Sequence, residues 1–455
     1  MALEGAIAAT RFGLGARPGE IKAASSDPRG WLEAQLTQAA FSSFPSAGLS
    51  SAKQGLETFF RYTQARSARG RTSEAADIDP EQAKKLVREV RLNLRAEVQA
   101  RTGFGALTPH SFHERLTRFW SNHFTVAARS PQTVAVAGAY EREAIRPNIL
   151  GSFTELALAA ITHPGLLVYL DNWQSIGPST RPARRRGRGL NENLAREVLE
   201  LHTVTPASGY TQTDVTEFAK ALTGWTVGNR RLGSDRKGET IFVSQIHEPG
   251  VRTILGKRYS EDGKDQAVSI IRDLCAHPET AKSVARKMAT HFVSDMPPDA
   301  LIERLETAFR RSNGDLPTLY AALIDAPEAW DGDPQKIKTP DELLTSSARA
   351  IGIDAVFAGD PRAVLESFAQ IPFTALSPEG WPDEADAWLG SDALMKRIEW
   401  AGQVARRSPT LDARKLMDDA LGPLASDATR TAVARAESGE QAIVLAVMSP
   451  EFQRR

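Results

Sequence analysis

The sequence specifies a mainly α protein, a multi-helix array with a small β-hairpin-like insertion, and three observations specify it. Apolar residues recur at the three-to-four-residue spacing of buried helix faces along most of the 455 residues, whereas strict alternation is confined to short pieces. Helix-start signals punctuate that pattern. One Gly-rich, β-leaning stretch between Trp225 and Asp262 interrupts it.

In chain order, a first helical segment, 1–105, ends near Gly103 and Gly105 after a long charged helix that starts at about Pro80. A central region, 106–327, follows with a helix containing HSFHERLTRFWSNHF. Ser152 and Glu155 then have the spacing of a capping box, in which the serine oxygen accepts from an early backbone N–H while the glutamate reaches back. Thr211 and Asp214 repeat that signal in weaker form. The β insertion, at about 226–262, holds two expected strands, 240–243 and 252–259. In the last segment, 328–455, Thr339, Pro340 and Glu342 start a helix with proline at its first position, where the missing N–H costs nothing. At roughly 150 residues per domain this length allows about three units, and no internal repeat divides it further. The loop 177–189 carries Arg181, Arg184, Arg185, Arg186 and Arg188 among glycines and prolines and is expected to be mobile.

Composition excludes several classes. With 56 basic and 56 acidic residues the net charge is zero, which argues against a chain that coats nucleic acid or an anionic membrane. No apolar stretch approaches the roughly 20 residues of a membrane span. The single cysteine, Cys275, excludes an internal disulfide and reads as a small buried apolar group between Leu274 and Ala276. Gly13 and Gly15 lack the GxGxxG spacing of a dinucleotide site, and neither a GxSxG nucleophile elbow nor a GxxxxGK[ST] phosphate loop occurs.

Polar chemistry is concentrated in the run NENLAREVLELHT, 191–203, and in GYTQTDVTEFAKALTGW after it. On a helical wheel His202 falls beside Leu194, Ala195 and Val198, while Asn193, Arg196, Glu197 and Glu200 occupy the opposite side. His123 lies among Phe112, Leu116 and Phe119, and His291 among Ala281, Val284 and Met288. Thus three helices each point a histidine inward. Two readings stand. Each imidazole can be a core group that donates to a carbonyl or carboxylate. Alternatively His123, His202 and the loop histidine His247 converge on a divalent metal, with Glu197, Glu200 or Asp214 supplying oxygen ligands or acting on a bound water. In the second reading His247, at an exposed cleft edge, is a ligand or general base alongside Glu197 and Glu200, and Asn191, Asn193, Arg196, Asp214 and Trp225 support the site. Arg196 stands at i,i+4 spacing from both Glu192 and Glu200, so a helix ion network accounts for the same polarity without catalysis. No HExxH motif is present.

The segments ATRFGLGARPGE, RFWSNHF at 118–124, NENLAREVLELHT, GYTQTDV, ALTGW, HEPG followed by ILG, ARKM followed by FV, and EGWP at 379–382 resemble, in order and content, the bacterial family catalogued as domain of unknown function eighteen-hundred. The likeness covers nearly the whole chain. Many such relatives carry export signals and are associated with a second, sulfatase-like family, which implies an envelope or secreted role and a sulfatase-like protein partner. This chain opens MALEGAIAATRFG, with Glu4 interrupting a short apolar stretch and no basic segment before it, so a cytoplasmic location is expected, with the periplasm or secretion as the alternative. Two functions follow: a metal-assisted hydrolase or modifying enzyme, or a non-catalytic assembly or maturation factor that binds such a partner.

Overall fold

A computed structural model describes residues 2–37, 39–40, 43–68, 80–186, 189–229 and 235–455. The chain is mainly helical. Its described strands form two small antiparallel pairs, Trp225–Val227 with Thr240–Phe242 and Arg252–Ile254 with Lys257–Tyr259. The second pair closes through Leu255 and Gly256, whose positive φ values of 48° and 76° suit the tight turn that matches strand twist. No described helix is long and apolar enough to cross a membrane.

The sequence signals for helix starts are realised as hydrogen bonds. Ser152 and Glu155 cap the helix Phe153–Thr162, and Thr339 and Glu342 cap Pro340–Ile351, each with the reciprocal side-chain and backbone bonds of a capping box. Thr211 and Asp214 do the same for Gln212–Leu222, with aspartate in the glutamate position. The long helix expected from about Pro80 runs through Gly103 and Gly105 to Leu107.

Apolar faces gather into one large core reaching from Ile7 to Trp330 and a second, built mainly from Leu343 to Phe452 with Val98 and Ala106 of the long helix. At the centre of the first, Trp120 donates to Tyr320 Oη at 2.7 Å and that hydroxyl donates to the Ile149 carbonyl at 2.7 Å, so the one polar edge of each ring is satisfied inside the core. Residues 336–338 run antiparallel to 453–455, with Lys338 N–H bonded to the Gln453 carbonyl.

A closed ring of charges joins the segments. Arg146 pairs with Glu114 at 2.5 Å and Glu141 at 3.0 Å; Arg101 pairs with Glu141 at 2.9 Å and Asp341 at 3.1 Å; Arg118 pairs with Asp341 at 3.1 Å and Glu114 at 3.4 Å. These groups come from the helices Pro80–Leu107, Ser111–His123 and Pro340–Ile351 and from the π-helical turn Glu141–Ile145 with the residue after it. The carbonyls of Gly13 and Gly15 accept from two further buried guanidiniums, Arg115 and Arg349, at 2.6 Å each, so the glycine-rich N-terminal motif cradles arginine rather than phosphate.

The described part of the 177–189 loop contains regular structure that its glycines, prolines and arginines did not suggest. Residues Arg181–Arg186 form a short helix whose Ala183 is buried with Ile176 and Ile246, and Ser179 N–H donates to Glu248 at 2.8 Å. The apolar contact of one alanine and the buried carboxylate dock a segment that its arginines alone would solvate. Arg188 lies outside the described residues.

Removing one partner from the ring strands a buried charge, a loss of about 3–5 kcal/mol. Glu114→Gln and Arg146→Met are each expected to destabilise by that amount, measured from the denaturant midpoint of tryptophan fluorescence, while a change at the surface pair Lys396–Asp392 leaves the midpoint in place. A shift below about 1 kcal/mol in both ring variants would show that the ring does not hold the segments together.

Candidate active site

A cavity of about 100 Å³ lies beside the ring, at the seam between the two cores. Arg101, Arg118 and Asp341 form one wall; Arg115, Glu342 and His291 stand on another. Residues of the irregular segment from Gln370 to Asp383 complete its lining. Burial alone would push the Glu141 carboxyl up, but the Arg101 and Arg146 guanidiniums hold it well below the ordinary carboxylate range. Burial likewise opposes ionisation of Glu342, and Arg455 and Arg115 overcome it. Arg115 hydrogen-bonds Glu342 at 2.6 Å; Arg455 Nε stands 2.8 Å from the same carboxylate oxygen as an ion pair without hydrogen-bond alignment. Both carboxylates are therefore ionised.

Four side chains on this cavity have a buried polar atom without a hydrogen-bond partner among the described residues: Arg118 at Nη2 and Asp341 at Oδ1, whose other atoms are bonded in the charge ring, and His291 and Tyr140. His291, at the end of the helix Pro278–Phe292, contacts both Asp383 oxygens through Nδ1, at 2.9 and 3.1 Å. Its Nε2 is buried without a hydrogen-bond partner among the described residues. Burial lowers the imidazole pKa while Asp383 opposes that shift, so the neutral ring donates Nδ1–H to an ionised carboxylate and keeps a lone pair on Nε2. Tyr140, fully buried in the helix Ala137–Tyr140, has a hydroxyl that is equally unpartnered among the described residues. Desolvation raises its pKa well above the ordinary phenol value, which keeps the proton on the oxygen.

The site residues expected from the sequence lie elsewhere. His123 and His202 are neighbours: their ring centroids are 5.7 Å apart, and His123 Nε2 is 3.2 Å from the His202 carbonyl oxygen. Trp120, Phe124 and Phe153 pack around them. His247 does not sit exposed at a cleft edge. It is 6 % exposed, with Nδ1 bonded to the Thr223 carbonyl at 2.7 Å and its ring against Phe242; the short helix Ser244–Ile246 leads into it, and Glu248 N–H donates to Thr223 Oγ1 at 2.7 Å just beyond the helix Gln212–Leu222. Among the described residues no three His, Cys, Asp or Glu side chains stand together as ligands of one metal ion would.

The carboxylate run faces outward. Glu197 and Glu200 are half-buried, and burial followed by the charge of Glu200 raises the Glu197 pKa. Arg196 bonds Glu192 and Gln212, and Glu192 also accepts from Thr216, the surface network that helix spacing allows. Asn191 accepts from Asn193 N–H to start the helix. Asp214 caps its own helix and accepts from Leu255 N–H at 2.8 Å, tying down the hairpin; Trp225 donates to the Lys264 carbonyl at 3.3 Å. Sequence reasoning placed His291 inward but did not see its partner. The available signal was position, since Asp383 directly follows the EGWP motif. Nothing in the local sequence marks Tyr140.

The buried pair gives a pH test. Desolvation first, then the Lys287 charge, lowers the His202 pKa from 6.5 to about 3, so between those values the unfolded chain holds a proton the folded chain does not. Stability is full above about pH 6.5 and falls as pH drops toward the folded value, by at most about 1.4 kcal/mol per pH unit for one group. His202→Phe should erase about 1–2 kcal/mol of the stability difference between pH 7 and pH 5, measured by urea unfolding. An undiminished difference would mean that His202 takes no part.

Comparisons with known proteins point to one family. No curated protein and no solved structure matches the chain. The family model described as "Protein of unknown function (DUF1800)" matches residues 7–454, nearly the full length, and the chain belongs to that family.

Proposed function

We propose that the chain is an enzyme, a hydrolase or group-modifying enzyme that works by general acid–base catalysis in the seam cavity, with His291 as base and Tyr140 as hydrogen-bond donor. One observation carries this reading: a histidine and a tyrosine, each with its remaining polar atom buried and unpartnered among the described residues, line the same small cavity beside the charges of Arg118 and Asp341, although about 90 % or more of buried polar groups in proteins are satisfied. Asp383 fixes the tautomer that leaves Nε2 able to take a proton from water or a substrate hydroxyl. Tyr140, held protonated, can donate to negative charge that develops on the reacting group, and the guanidiniums of Arg101, Arg115 and Arg118 favour such charge nearby. A hydrolase or modifying enzyme is one of the two functions expected from the sequence, there as a metal-assisted one built on His123, His202, His247, Glu197 and Glu200. The chemistry proposed here rests instead on the dyad of His291 and Tyr140.

A second reading draws on a different surface. The helix Ser391–Arg407 exposes Leu394, Met395 and Ile398, with Leu389 just before it, an apolar face that suits a factor binding a protein partner such as the sulfatase-like protein implied by the family resemblance.

Turnover of aryl esters, aryl phosphates and aryl sulfates by the purified chain separates the two. The enzyme reading expects hydrolysis in at least one class, a loss of about 10²–10⁴-fold in kcat for His291→Asn, and a smaller loss for Tyr140→Phe, both with unchanged Tm. Because the His291 pKa is lowered, the acidic limb of the rate profile should fall below pH 6.5. Equal rates for parent and His291→Asn would refute it.

A further inference from the structure

The walls of the cavity are unequal. Three are helices tied by buried ion pairs, whereas the segment from Ala369 to Asp383 has no regular structure. It is attached by individual bonds: Asp341 N–H to Gln370, Ala128 N–H to the Phe373 carbonyl, Arg129 to the Ala375 carbonyl, and the Asn122 side chain to both polar groups of the Trp381 backbone at 2.8 and 2.9 Å. Ala369 and Phe373 hold φ values of 57° and 66°, a region that side chains with a Cβ rarely adopt. Gly380, at φ 93°, lies so close to Asn122 that a Cβ would meet its Oδ1 at 2.6 Å. Leu376, near the middle, is 76 % exposed. Ile371 and Phe373 pack against the cores and Ala375 is buried, which anchors the first half, whereas no apolar side chain from Leu376 to Pro382 is buried. Opening that second half breaks few apolar contacts, which places it at the low-stability end of the molecule.

Access demands an opening. Tyr140 Oη and His291 Nε2 are both closed to solvent, so no substrate reaches them in this arrangement. The movable wall also carries Asp383, the partner of His291 Nδ1. We propose that residues 376–383 form a gate over the cavity and that Asp383 is a positioning residue, setting the His291 tautomer only when the gate is closed. The dyad is then complete only after the substrate is enclosed, which keeps the base from acting on bulk water. This inference rests on the cavity being the reaction site.

Hydrogen–deuterium exchange and nitrogen-15 NMR of the histidines test it on the full chain without substrate. In the parent, amides of 376–384 should exchange at least about ten-fold faster than those of Ser111–His123 and Pro278–Phe292, and His291 should show the Nδ1–H tautomer. Asn122→Ala should speed exchange of 376–384 by about a further ten-fold, leave the two helices unchanged, and mix the Nε2–H tautomer into His291. Asn122→Asp, which keeps the acceptor for Trp381 N–H, gives the same direction if the alanine variant folds poorly. Asp383→Asn should mix the tautomers as well. Exchange of 376–384 as slow as the helices, or a His291 tautomer unmoved by all these variants, would overturn the proposal. A responsive gate with no His291-dependent turnover would refute the reaction reading alone, and His291-dependent turnover behind a rigid wall would refute the gate alone.

Discussion

Six charged side chains in a closed ring set the constraint on which the other features depend. Arg146, Glu114, Arg118, Asp341, Arg101 and Glu141 alternate in sign, each paired with the one before and the one after it, and they come from stretches of chain more than 200 residues apart. Taking such charges out of water is costly, and only the simultaneous presence of all partners offsets the cost. The ring forms when the long helix, the helix Ser111–His123, the turn at Glu141 and the helix Pro340–Ile351 have reached their final places. It therefore contributes less to net stability than to the choice of one arrangement over others with similar apolar burial.

That choice makes the cavity. Arg101, Arg118 and Asp341 are ring members and cavity wall at once, so the position of the wall is held by bonds that cannot relax singly. Across the cavity, Arg455 pairs with Glu342 and donates to the His291 carbonyl at 2.5 Å, which ties the end of the histidine helix to the residues running beside 336–338. His291 thus stands on a fixed element while its partner Asp383 stands on an irregular one, whose backbone carbonyl is bonded by Lys336. The same side chains set the electrostatics: burial, Arg455 and Arg115 favour a neutral imidazole, and Asp383 works against them.

The run 191–203 shows why polar density in a sequence is a poor locator of chemistry. Its carboxylates and amides face outward or bond to one another, Asp214 divides its two oxygens between a helix cap and a hairpin turn, and the inward His202 packs against His123 and Phe124. The π-helical turn Val198–His202 follows directly on the helix Asn193–Glu197 and buries Val198, Leu199 and His202 while Glu200 stays half-buried. Asn191, Glu192 and Arg196 thus have local uses, whereas both ring nitrogens of His202 are buried without a partner among the described residues.

Helical class, three of the capping boxes, the inward histidines and the presence of a small β insertion were legible in the sequence because each depends on residues within one or two turns of one another, whereas 252–259, expected as one strand, folds into a hairpin of its own. Periodicity assigned His123, His202 and His291 to inward faces; His123 and His202 are buried, and His291 is partly buried. Which buried groups meet was not legible. His291 and Asp383 are 92 residues apart, Arg118 and Asp341 are 223 apart, and Tyr140 carries no local mark at all. The sequence by itself determined the secondary structure and which faces turn inward, since hydrophobic spacing and capping are short-range. Only the tertiary structure decided which inward groups share a cavity and which buried charges close a ring, because those pairings are selected by desolvation of distant side chains packed together.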